Sequence, residues 1–494
     1  MYPTMEDIRK IAAKGQYKRV PVCRELYADR YTPVEMMRTL REASRHCYLL
    51  ESASQTEVWG RYSFLGYEPV MEITCTDGIM KIRRTEGADK EEITKQVAHP
   101  GDTLREILKE YKSPVMEDMP PFTGGLVGYF SYDYIKYSEP KLKLGEHEDP
   151  DFRDMDLMLF DQVIAFDHYR QKVLLITGVM LDDLENSLRK AEQKLQEMAD
   201  LIRSGKKAEF PPLQLDSEIR PQFPKEKYCQ MVEKAKHYIH EGDIFQVVLS
   251  NPMRAKAEGS LFDTYRVLRA TNPSPYMFYF SSDDIELAGA SPETLVKLEN
   301  KKLTTFPLAG TRPRGKTEAE DQALEAELLA DEKELAEHNM LVDLGRNDLG
   351  RLSRFGTVEV ESLHSIERFS HVMHIGSTVR GMIRDDKDAL DAVEAVLPAG
   401  TLSGAPKIRA CQLIGELENN KRGIYGGAIG YIDFTGNMDT CIAIRIAYKK
   451  NGKVFVRSGA GIVADSVPEK EYEECINKAK AVVNALKLAE EADV

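Results

Sequence analysis

The chain has 494 residues, of which 42% are hydrophobic and 30% charged, a composition typical of a globular protein with room for two or more domains. Its formal net charge of −14 argues against nucleic acid as a partner, because the overall field repels phosphate polymers. The sequence contains neither a long apolar run that could span a membrane nor the apolar segment of a secretory signal. Seven cysteines without paired spacing are typical of free thiols in a reducing cytoplasm.

The first half of the chain, residues 1–210, is predicted to be rich in β-strands. Strands are expected at 48–50 and 70–74, and a hairpin is expected from 157–168 and 173–178. Apolar residues at helical spacing then predict an amphipathic helix over 181–202. A proline-containing stretch, 204–227, is predicted to be a linker or long connection.

The second half, residues 225–494, is predicted to alternate irregularly between strands and helices. One long helix is expected over 317–344, and another closes the chain over 467–489. The strand runs are joined by hairpins and not by βαβ units, which favours an α+β fold with antiparallel sheets. The further elements predicted in this half are a helix over 228–240 and strands at 244–249, 276–280, 294–298, 302–306, 426–434, 439–449 and 453–458.

Two pairs of glutamates have the spacing of a helix face. Glu334 and Glu337 lie three residues apart in the first long helix, and Glu471 and Glu474 lie three apart in the last. Carboxylates on two facing helices can hold a hard cation such as Mg²⁺, with water in the remaining positions. Spacing alone equally fits a solvated surface whose charge is balanced by neighbouring lysines.

Glycine-rich segments and scattered titratable groups are the other candidates for chemistry. Segments 310–315, 398–407 and 457–462 combine glycine with cations or hydroxyls, so their backbone amides could approach an anion, although ordinary turns have the same composition. Arg445 interrupts an apolar strand pattern and needs an anionic partner if it is buried. Taken from the residues alone, these features favour a metal-assisted enzyme for a small substrate with several carboxylates, and they do not indicate a reaction.

At these positions the chain resembles the chorismate-utilising enzymes, and within them the large subunits (component I) of anthranilate synthases. The resemblance covers nearly the whole chain and is densest over residues 243–480. It implies two large antiparallel β-sheets packed as a sandwich with helices outside, built from intertwined halves. The motifs that carry it are DIFQVVLSNP, NPSPYMFYF, GASPET, PLAGTRPRG, KELAEHNMLVDLGRNDLGR, LPAGTLSGAPK, IYGGAIGYIDF, CIAIRIAY and RSGAGIVADSVPEKEYEE.

The resemblance also implies roles for individual residues. Glu337 and Glu474 match direct Mg²⁺ ligands, and Glu334 and Glu471 match ligands that act through water. Glu293 matches the general acid that helps the ring hydroxyl leave, and His374 and Thr401 match residues beside the reacting ring. The positions that match contacts to chorismate are Gly310, Thr311, Tyr425, Arg445, Gly459, Ala460 and Gly461.

Two positions separate the branches of the family. Relatives that add water have a lysine base where this chain has Gln246, and an amide cannot deprotonate water. Relatives that form a covalent adduct have a nucleophilic lysine where this chain has Ala309. Together these residues imply direct attack of ammonia on chorismate, loss of the hydroxyl, and elimination of pyruvate to give anthranilate, the first step of tryptophan biosynthesis.

A second site is implied in the first half of the chain. The segment LLES, which contains Glu51 and Ser52, matches the tryptophan-sensing strand of the family. Pro275, Tyr276 and Met277 would complete a pocket with apolar walls and polar groups for a zwitterion. Tryptophan bound there would inhibit the enzyme allosterically, but without the resemblance these are simply strand residues of the core.

The sequence shows no nucleophile signature of a glutaminase. Ammonia would therefore come from solution or from a separate glutamine amidotransferase subunit (component II), which makes the expected assembly a hetero-oligomer. Two alternatives to the anthranilate-forming activity stay open at this point. One is an aminodeoxychorismate-type synthase that manages without the lysine, and the other is a tryptophan-binding regulator without catalytic activity.

Overall fold

The structure is a computed structural model that describes residues 2–52, 60–85, 91–145, 152–368 and 372–491. Within these residues no helix is both long and apolar enough to cross a membrane. The seven cysteines are all free, as their spacing predicted.

The α-helices occur throughout the chain and are 8 to 24 residues long. Two short 3₁₀ helices, Tyr132–Tyr137 and Gly400–Leu402, accompany them. The α-helices are α1 Met5–Ala13, α2 Pro33–Ala43, α3 Pro100–Glu110, α4 Leu184–Ser204, α5 Lys225–His240, α6 Phe262–Thr271, α7 Glu318–Ala330, α8 Glu332–Gly350, α9 Ala389–Val396, α10 Lys407–Glu418 and α11 Pro468–Glu491.

The strands are spread evenly over both halves of the chain. They are β1 Arg19–Tyr27, β2 Cys47–Glu51, β3 Tyr62–Tyr67, β4 Met71–Thr76, β5 Ile79–Arg84, β6 Glu92–Gln96, β7 Gly125–Phe130, β8 Met155–Phe160, β9 Val163–Asp167, β10 Lys172–Met180, β11 Gln214–Leu215, β12 Arg220–Pro221, β13 Gln246–Glu258, β14 Tyr276–Ser281, β15 Ile285–Ser291, β16 Thr294–Glu299, β17 Lys302–Thr305, β18 Leu308–Pro313, β19 Glu359–Arg368, β20 Val372–Met382, β21 Gly404–Ala405, β22 Ala428–Asp433, β23 Met438–Ile442, β24 Ile446–Lys450 and β25 Lys453–Ile462.

These strands form two large sheets. The first has 13 strands in the order β1-β10-β9-β3-β2-β14-β15-β24-β25-β13-β11, with β12 and β21 also paired to β13. The second has 12 strands in the order β18-β20-β17-β16-β23-β22-β7-β8-β4-β5-β6, with β19 paired to β20. Each sheet mixes strands from before and after residue 210, whereas the division of the chain into domains 1–210 and 225–494 stays a prediction.

The two sheets pack face to face, and the helices cover their outer faces. Phe64 of the first sheet meets Tyr431 of the second with ring centroids 5.9 Å apart, and Tyr48 and Phe160 meet at 4.7 Å. Helices α2, α4, α6 and α11 share a buried apolar cluster with the first sheet, and α3, α8 and α9 share one with the second. The predicted α+β sandwich of antiparallel sheets is therefore confirmed.

Turn chemistry explains the tight hairpins. Glu299 pairs with Lys302 across a turn of Asn300 and Lys301, both of which have a positive φ. Two-residue turns of this kind match the twist of the strands that they join. The predicted hairpin at this place is confirmed.

The predicted long helix over 317–344 is wrong, because the chain folds there as the two helices α7 and α8. Asp331 ends the first helix and caps the second, and its side chain accepts hydrogen bonds from the backbone amides of Lys333 and Glu334. An aspartate that satisfies two free amides stabilises a helix start. The break places Glu334 in the first turn of α8, at its positive end.

Three further sequence predictions need correction. The predicted single strand over 439–449 is two strands in different sheets, β23 and β24, and Arg445 lies between them with a φ of +51°. Segments 310–315 and 457–462 lie largely in strands β18 and β25, so they are not the predicted turns. The connection over 204–227 is long, as predicted, but it carries β11 and β12 along the edge of β13.

Candidate active site

A cavity of about 580 Å³ lies where the second half of the chain brings five elements together. Strands β13 and β25 form one wall, β18 forms another, and helices α8 and α11 close the sides. Residues far apart in the sequence meet here because β13 pairs with β25, and α11 packs back on β25.

Nearly all of the residues predicted for the chorismate site line this cavity. Ala460 is the exception: it is fully buried on the opposite face of β25, as the alternation of side chains along a strand requires. The structure thus places fourteen predicted residues in one cavity, although their roles stay predictions. They are Gln246, Glu293, Gly310, Thr311, Glu334, Glu337, His374, Thr401, Tyr425, Arg445, Gly459, Gly461, Glu471 and Glu474.

Four carboxylates face each other across the cavity; we call Glu334, Glu337, Glu471 and Glu474 the carboxylate cluster. Burial raises the pKa of Glu337, and the neighbouring charge of Glu334 raises it further. Burial also raises the pKa of Glu471. Carboxylates that raise the pKa of one another are short of positive charge.

Two lysines lie beside the carboxylate cluster and neutralise part of its charge. Lys333 and Lys478 both line the cavity, and the ammonium of Lys478 lies 2.7 Å from a carboxylate oxygen of Glu474. Four carboxylates and two ammonium groups leave a formal charge of −2. That charge and the all-oxygen donor set fit one Mg²⁺ ion.

Strand β18 is fixed against α8 by a branched ion pair. Arg312 lies 3.0 Å from Glu327, 3.0 Å from Asp331 and 3.6 Å from Glu334. Gly310 has a φ of +63°, and a β-carbon there would lie 3.2 Å from a carboxylate oxygen of Glu334. The backbone conformation therefore favours glycine, and a larger residue would also push the carboxylate of Glu334 aside by a few tenths of an ångström.

Glu293 is a half-buried carboxyl at the inner end of the cavity. Burial raises its pKa, while a 3.1 Å hydrogen bond from the hydroxyl of Thr401 and the charge of Arg445 hold the increase back. Burial lowers the pKa of Arg445, and within the described residues its guanidinium has no salt bridge. A half-buried cation that has no salt bridge within the described residues is a suitable site for an anionic ligand.

His374 lies across the cavity on β20. Its Nδ1 atom is 2.8 Å from the carbonyl oxygen of Gly310 and 3.1 Å from the hydroxyl of Thr311. A carbonyl oxygen only accepts hydrogen bonds, so Nδ1 carries the proton and Nε2 is the basic nitrogen of the neutral ring. Burial lowers the pKa of the imidazole, which favours this neutral form.

The two positions that separate the branches of the family, Gln246 and Ala309, also line the cavity. A β-carbon on Gly461 would lie 2.7 Å from the side-chain nitrogen of Gln246, so that amide lies against β25. Ala309 lies on β18, one residue before Gly310. Neither of these two positions carries a basic or nucleophilic group.

Sequence reasoning missed a buried ionic group behind the cavity; we call Glu418, Arg422 and Arg457 the arginine cluster. Glu418 lies 2.6 Å from Arg422 and 2.7 Å from Arg457, and all three side chains are almost fully buried. Arg422 also donates to the carbonyl oxygens of Leu402 and Val248, which line the cavity. Arg457 lies in the motif RSGAGI. An arginine in an otherwise apolar strand was therefore the signal in the sequence that could have indicated this cluster.

The five residues predicted for tryptophan lie outside this cavity, at the junction of β2 and β14. Glu51 pairs in register with Met277, so the two predicted segments are neighbours. Glu51 is buried, and Arg269 donates to its carboxylate at 2.6 Å. The hydroxyl of Tyr276 lies 2.8 Å from Thr294 and 2.8 Å from Asp439. Ser52 follows β2 directly, and Pro275 directly precedes β14.

Comparison with known proteins places this chain among relatives of nearly equal length. Residues 14–484 match the chorismate binding enzyme family. The anthranilate synthase component 1 of Acetivibrio thermocellus is 45% identical over 99% of this chain and 99% of its own length. That of Aquifex aeolicus is 43% identical over 99% of this chain and 98% of its own.

Solved structures give the same picture. The crystal structure of anthranilate synthase component I from Streptococcus pneumoniae superposes with a TM-score of 0.75 at 39% identity, covering 86% of this chain and 92% of that one. The menaquinone-specific isochorismate synthase of Escherichia coli superposes with a TM-score of 0.69 at 19% identity, over 97% of this chain and 98% of that one. The second likeness shows the fold alone.

Proposed function

The chain belongs to the chorismate-binding enzymes, and we propose that it is the large subunit of an anthranilate synthase, which converts chorismate and ammonia into anthranilate and pyruvate. One observation supports this most strongly. The same cavity holds a carboxylate cluster with a formal deficit of two positive charges and, separately, the half-buried guanidinium of Arg445. A ligand with two carboxylates, one facing a metal and one facing an arginine, would satisfy both.

Magnesium is the metal that this donor set fits. Glu337 and Glu474 would bind it directly, and Glu334 and Glu471 would bind its water molecules. When bound, the ion would orient the ring carboxylate of chorismate and act on it as a Lewis acid. Arg445 and Tyr425 would hold the enolpyruvyl carboxylate at the other end of the cavity.

The protein supplies the proton for the first step. Glu293, with its raised pKa, would give its proton to the ring hydroxyl, which leaves as water while ammonia forms a bond to the ring carbon beside the carboxylate-bearing carbon. The carboxylate of Glu293 that remains would accept the hydrogen bond from the hydroxyl of Thr401. Since Gln246 cannot act as a base, water is a poor competitor for ammonia.

The second step forms the aromatic ring. The neutral Nε2 atom of His374 would accept the proton from the carbon that carries the new amino group. The electrons of that C–H bond complete the ring as the bond between the ring carbon and the ether oxygen breaks. The enolate that leaves takes up a proton at its methylene carbon and becomes pyruvate. Ala309 leaves no side-chain nucleophile at this position, so the ring is never attached to the protein.

Ammonia would reach this cavity from solution or from a separate glutamine amidotransferase subunit. The assembly would then be a hetero-oligomer, and its cellular location would be the cytoplasm.

The product identifies the reaction. The purified chain should consume chorismate only with Mg²⁺ and an ammonium salt, and should release fluorescent anthranilate with an equal amount of pyruvate. A 4-amino product that retains its enolpyruvyl group would identify the aminodeoxychorismate-type alternative. If no chorismate is consumed under any of these conditions, the regulator without catalytic activity is the better description.

We further propose that residues 1–210 supply the tryptophan-sensing strand, β2, of a site that β14 completes, and that L-tryptophan bound there inhibits by stabilising a state with low affinity for chorismate. The pairing of Glu51 with Met277 supports it, because it brings the two predicted segments side by side. The change Ser52→Phe should abolish inhibition by tryptophan and leave kcat without tryptophan unchanged. Ala43→Phe, at an exposed position before the same strand, is the control. Equal inhibition of wild type and Ser52→Phe would contradict the proposal.

A further inference from the structure

A histidine and two carboxylates converge at one end of the sandwich, far in the fold from the chorismate cavity. His46 directly precedes β2, and Asp283 lies in the turn between β14 and β15, so both belong to the first sheet. Glu72 lies on β4 of the second sheet. The group therefore bridges the two sheets; we call these three residues the bridging triad.

The ligand atoms of the bridging triad are spaced like the ligands of a small metal ion. The Nε2 atom of His46 lies 3.0 Å from Oε1 of Glu72 and 3.3 Å from Oδ1 of Asp283. All three atoms lie within 4.8 Å of one another. Metal–ligand bonds of about 2.0–2.2 Å in a tetrahedral arrangement place neighbouring ligand atoms about 3.4 Å apart.

Two of these atoms lack hydrogen bonds. Within the described residues, Nε2 of His46 and Oε1 of Glu72 are fully buried and neither has a hydrogen-bond partner. They lie 3.0 Å apart but without the alignment that a hydrogen bond needs. Buried polar atoms in proteins normally have hydrogen-bond partners. A ligand bound between Nε2 of His46 and Oε1 of Glu72 would supply the partner that both atoms lack.

Arg83 supports the same arrangement from outside. Its guanidinium binds Oε2 of Glu72 and lies 2.6 Å from Oδ2 of Asp283, so it holds the two carboxylate oxygens that do not face His46. Hydrogen bonds from a neighbouring side chain to ligand carboxylates orient them toward a metal. With a neutral imidazole, two carboxylates and one guanidinium leave a formal charge of −1, which favours a cation.

We infer that the bridging triad is a binding site for a divalent transition-metal ion of the Zn²⁺ class, separate from the Mg²⁺ site. Imidazole nitrogen suits zinc and carboxylate oxygen completes its donor set, whereas Mg²⁺ prefers oxygen alone. The side chain of Asp283 is 49% exposed, which leaves an entry route and a fourth position for water. The ion would tie the two sheets together beside the ends of β2 and β14.

Binding of Co²⁺ to the full chain tests this inference. The protein is stripped of metal with a chelator, and excess Mg²⁺ then occupies the carboxylate cluster. Titration with Co²⁺ should produce the visible absorption of a low-coordinate site, saturating at one ion per chain, and Zn²⁺ should displace it. Zn²⁺ should also raise the melting temperature of the wild-type protein.

Matched variants separate a metal site from a simple ion-pair cluster. His46→Asn should weaken Co²⁺ binding by at least about tenfold, whereas His237→Asn, at an exposed histidine on α5, should bind like wild type. If His46→Asn fails to fold by circular dichroism, X-ray absorption of zinc-loaded wild type replaces it and should show one imidazole and oxygen ligands. The inference is overturned if wild type gives no Co²⁺ absorption, if His46→Asn binds equally well, or if the zinc shell contains no imidazole.

Discussion

The carboxylate cluster and the arginine cluster both contribute to the wall of one cavity, but the glutamate of the arginine cluster is fully buried, whereas those of the carboxylate cluster are half-buried or exposed. Glu418 accepts hydrogen bonds from Arg422, Arg457 and the backbone amide of Ser250. Burial alone would raise its pKa, but the two guanidinium groups reverse the shift and lower it. At Glu337, burial and Glu334 raise the pKa together, and the nearby lysines only reduce the shift.

The difference teaches where the protein needs a ligand. The arginine cluster is complete without one, so it forms a rigid wall that holds Leu402 and Val248 in place. The carboxylate cluster is short of positive charge, and groups with perturbed pKa values in a cavity mark functional sites. The same residue type therefore has its charge balanced in one cluster and unbalanced in the other, and we propose a structural role for the first and a metal-binding role for the second.

The largest effect is expected at the carboxylate cluster. Glu474→Gln should lower kcat about a thousandfold or more, because it removes a direct metal ligand and a Lewis acid supplies several kcal/mol. Activity is measured across a Mg²⁺ titration. Glu473→Gln, at the exposed neighbour that pairs with Lys225, should behave like wild type. Near-normal turnover of Glu474→Gln at saturating Mg²⁺ would contradict the assignment of Glu474 as a metal ligand.

Breaking the arginine cluster should affect stability first. Glu418→Gln leaves two buried guanidinium groups without their carboxylate, which should lower the free energy of unfolding by about 3–5 kcal/mol. Urea unfolding measures it, with the exposed Glu416→Gln of the same helix as the control. Equal stability of the two variants would show that this wall does not depend on ion pairing.

Glu293 is intermediate between the carboxylate cluster and the arginine cluster, because its hydrogen-bond partner Thr401 is neutral. Glu293→Gln should lower kcat by about a hundredfold or more through loss of general-acid catalysis, while folding and Mg²⁺ binding persist. Glu299→Gln, on the same strand β16 that follows Glu293, serves as the control. An unchanged kcat would exclude Glu293 as the proton donor.

A smaller, directional effect is expected at Thr401. Its hydrogen bond lowers the pKa of Glu293, so Thr401→Val should raise that pKa. The acid is active when protonated, and activity therefore declines as pH rises through its pKa. The alkaline limb of kcat/KM should move to higher pH in Thr401→Val. A limb that stays in place or moves to lower pH would contradict the assignment of Glu293 as the acid.

The sequence predicted the sheets and the site residues better than it predicted where one element ends and the next begins. Runs of alternating or apolar residues identified most strands. Helix periodicity could not show the break at Asp331, because α7 and α8 share similar composition on both sides of a single capping residue. An apolar strand pattern likewise could not show that the chain changes sheets at Arg445.

Within the site, the resemblance identified the charged residues that line the cavity, but it did not identify the buried ion pairs of the arginine cluster. Motifs marked Glu337, Glu474 and Arg445, since these residues stand in segments with a recognisable pattern. The pairing of Glu418 with Arg457 depends on a contact between α10 and β25, two elements far apart along the chain. No single-sequence pattern contains such a contact, and the fold had to be known first.

Diffraction from crystals grown with Mn²⁺ in place of Mg²⁺ tests the central contrast most directly. Manganese accepts the same oxygen ligands and scatters anomalously. We predict an anomalous peak in contact with Glu337 and Glu474 and none beside Glu418. A peak elsewhere in the cavity, or no peak between α8 and α11, would contradict the proposal that the carboxylate cluster is the metal site.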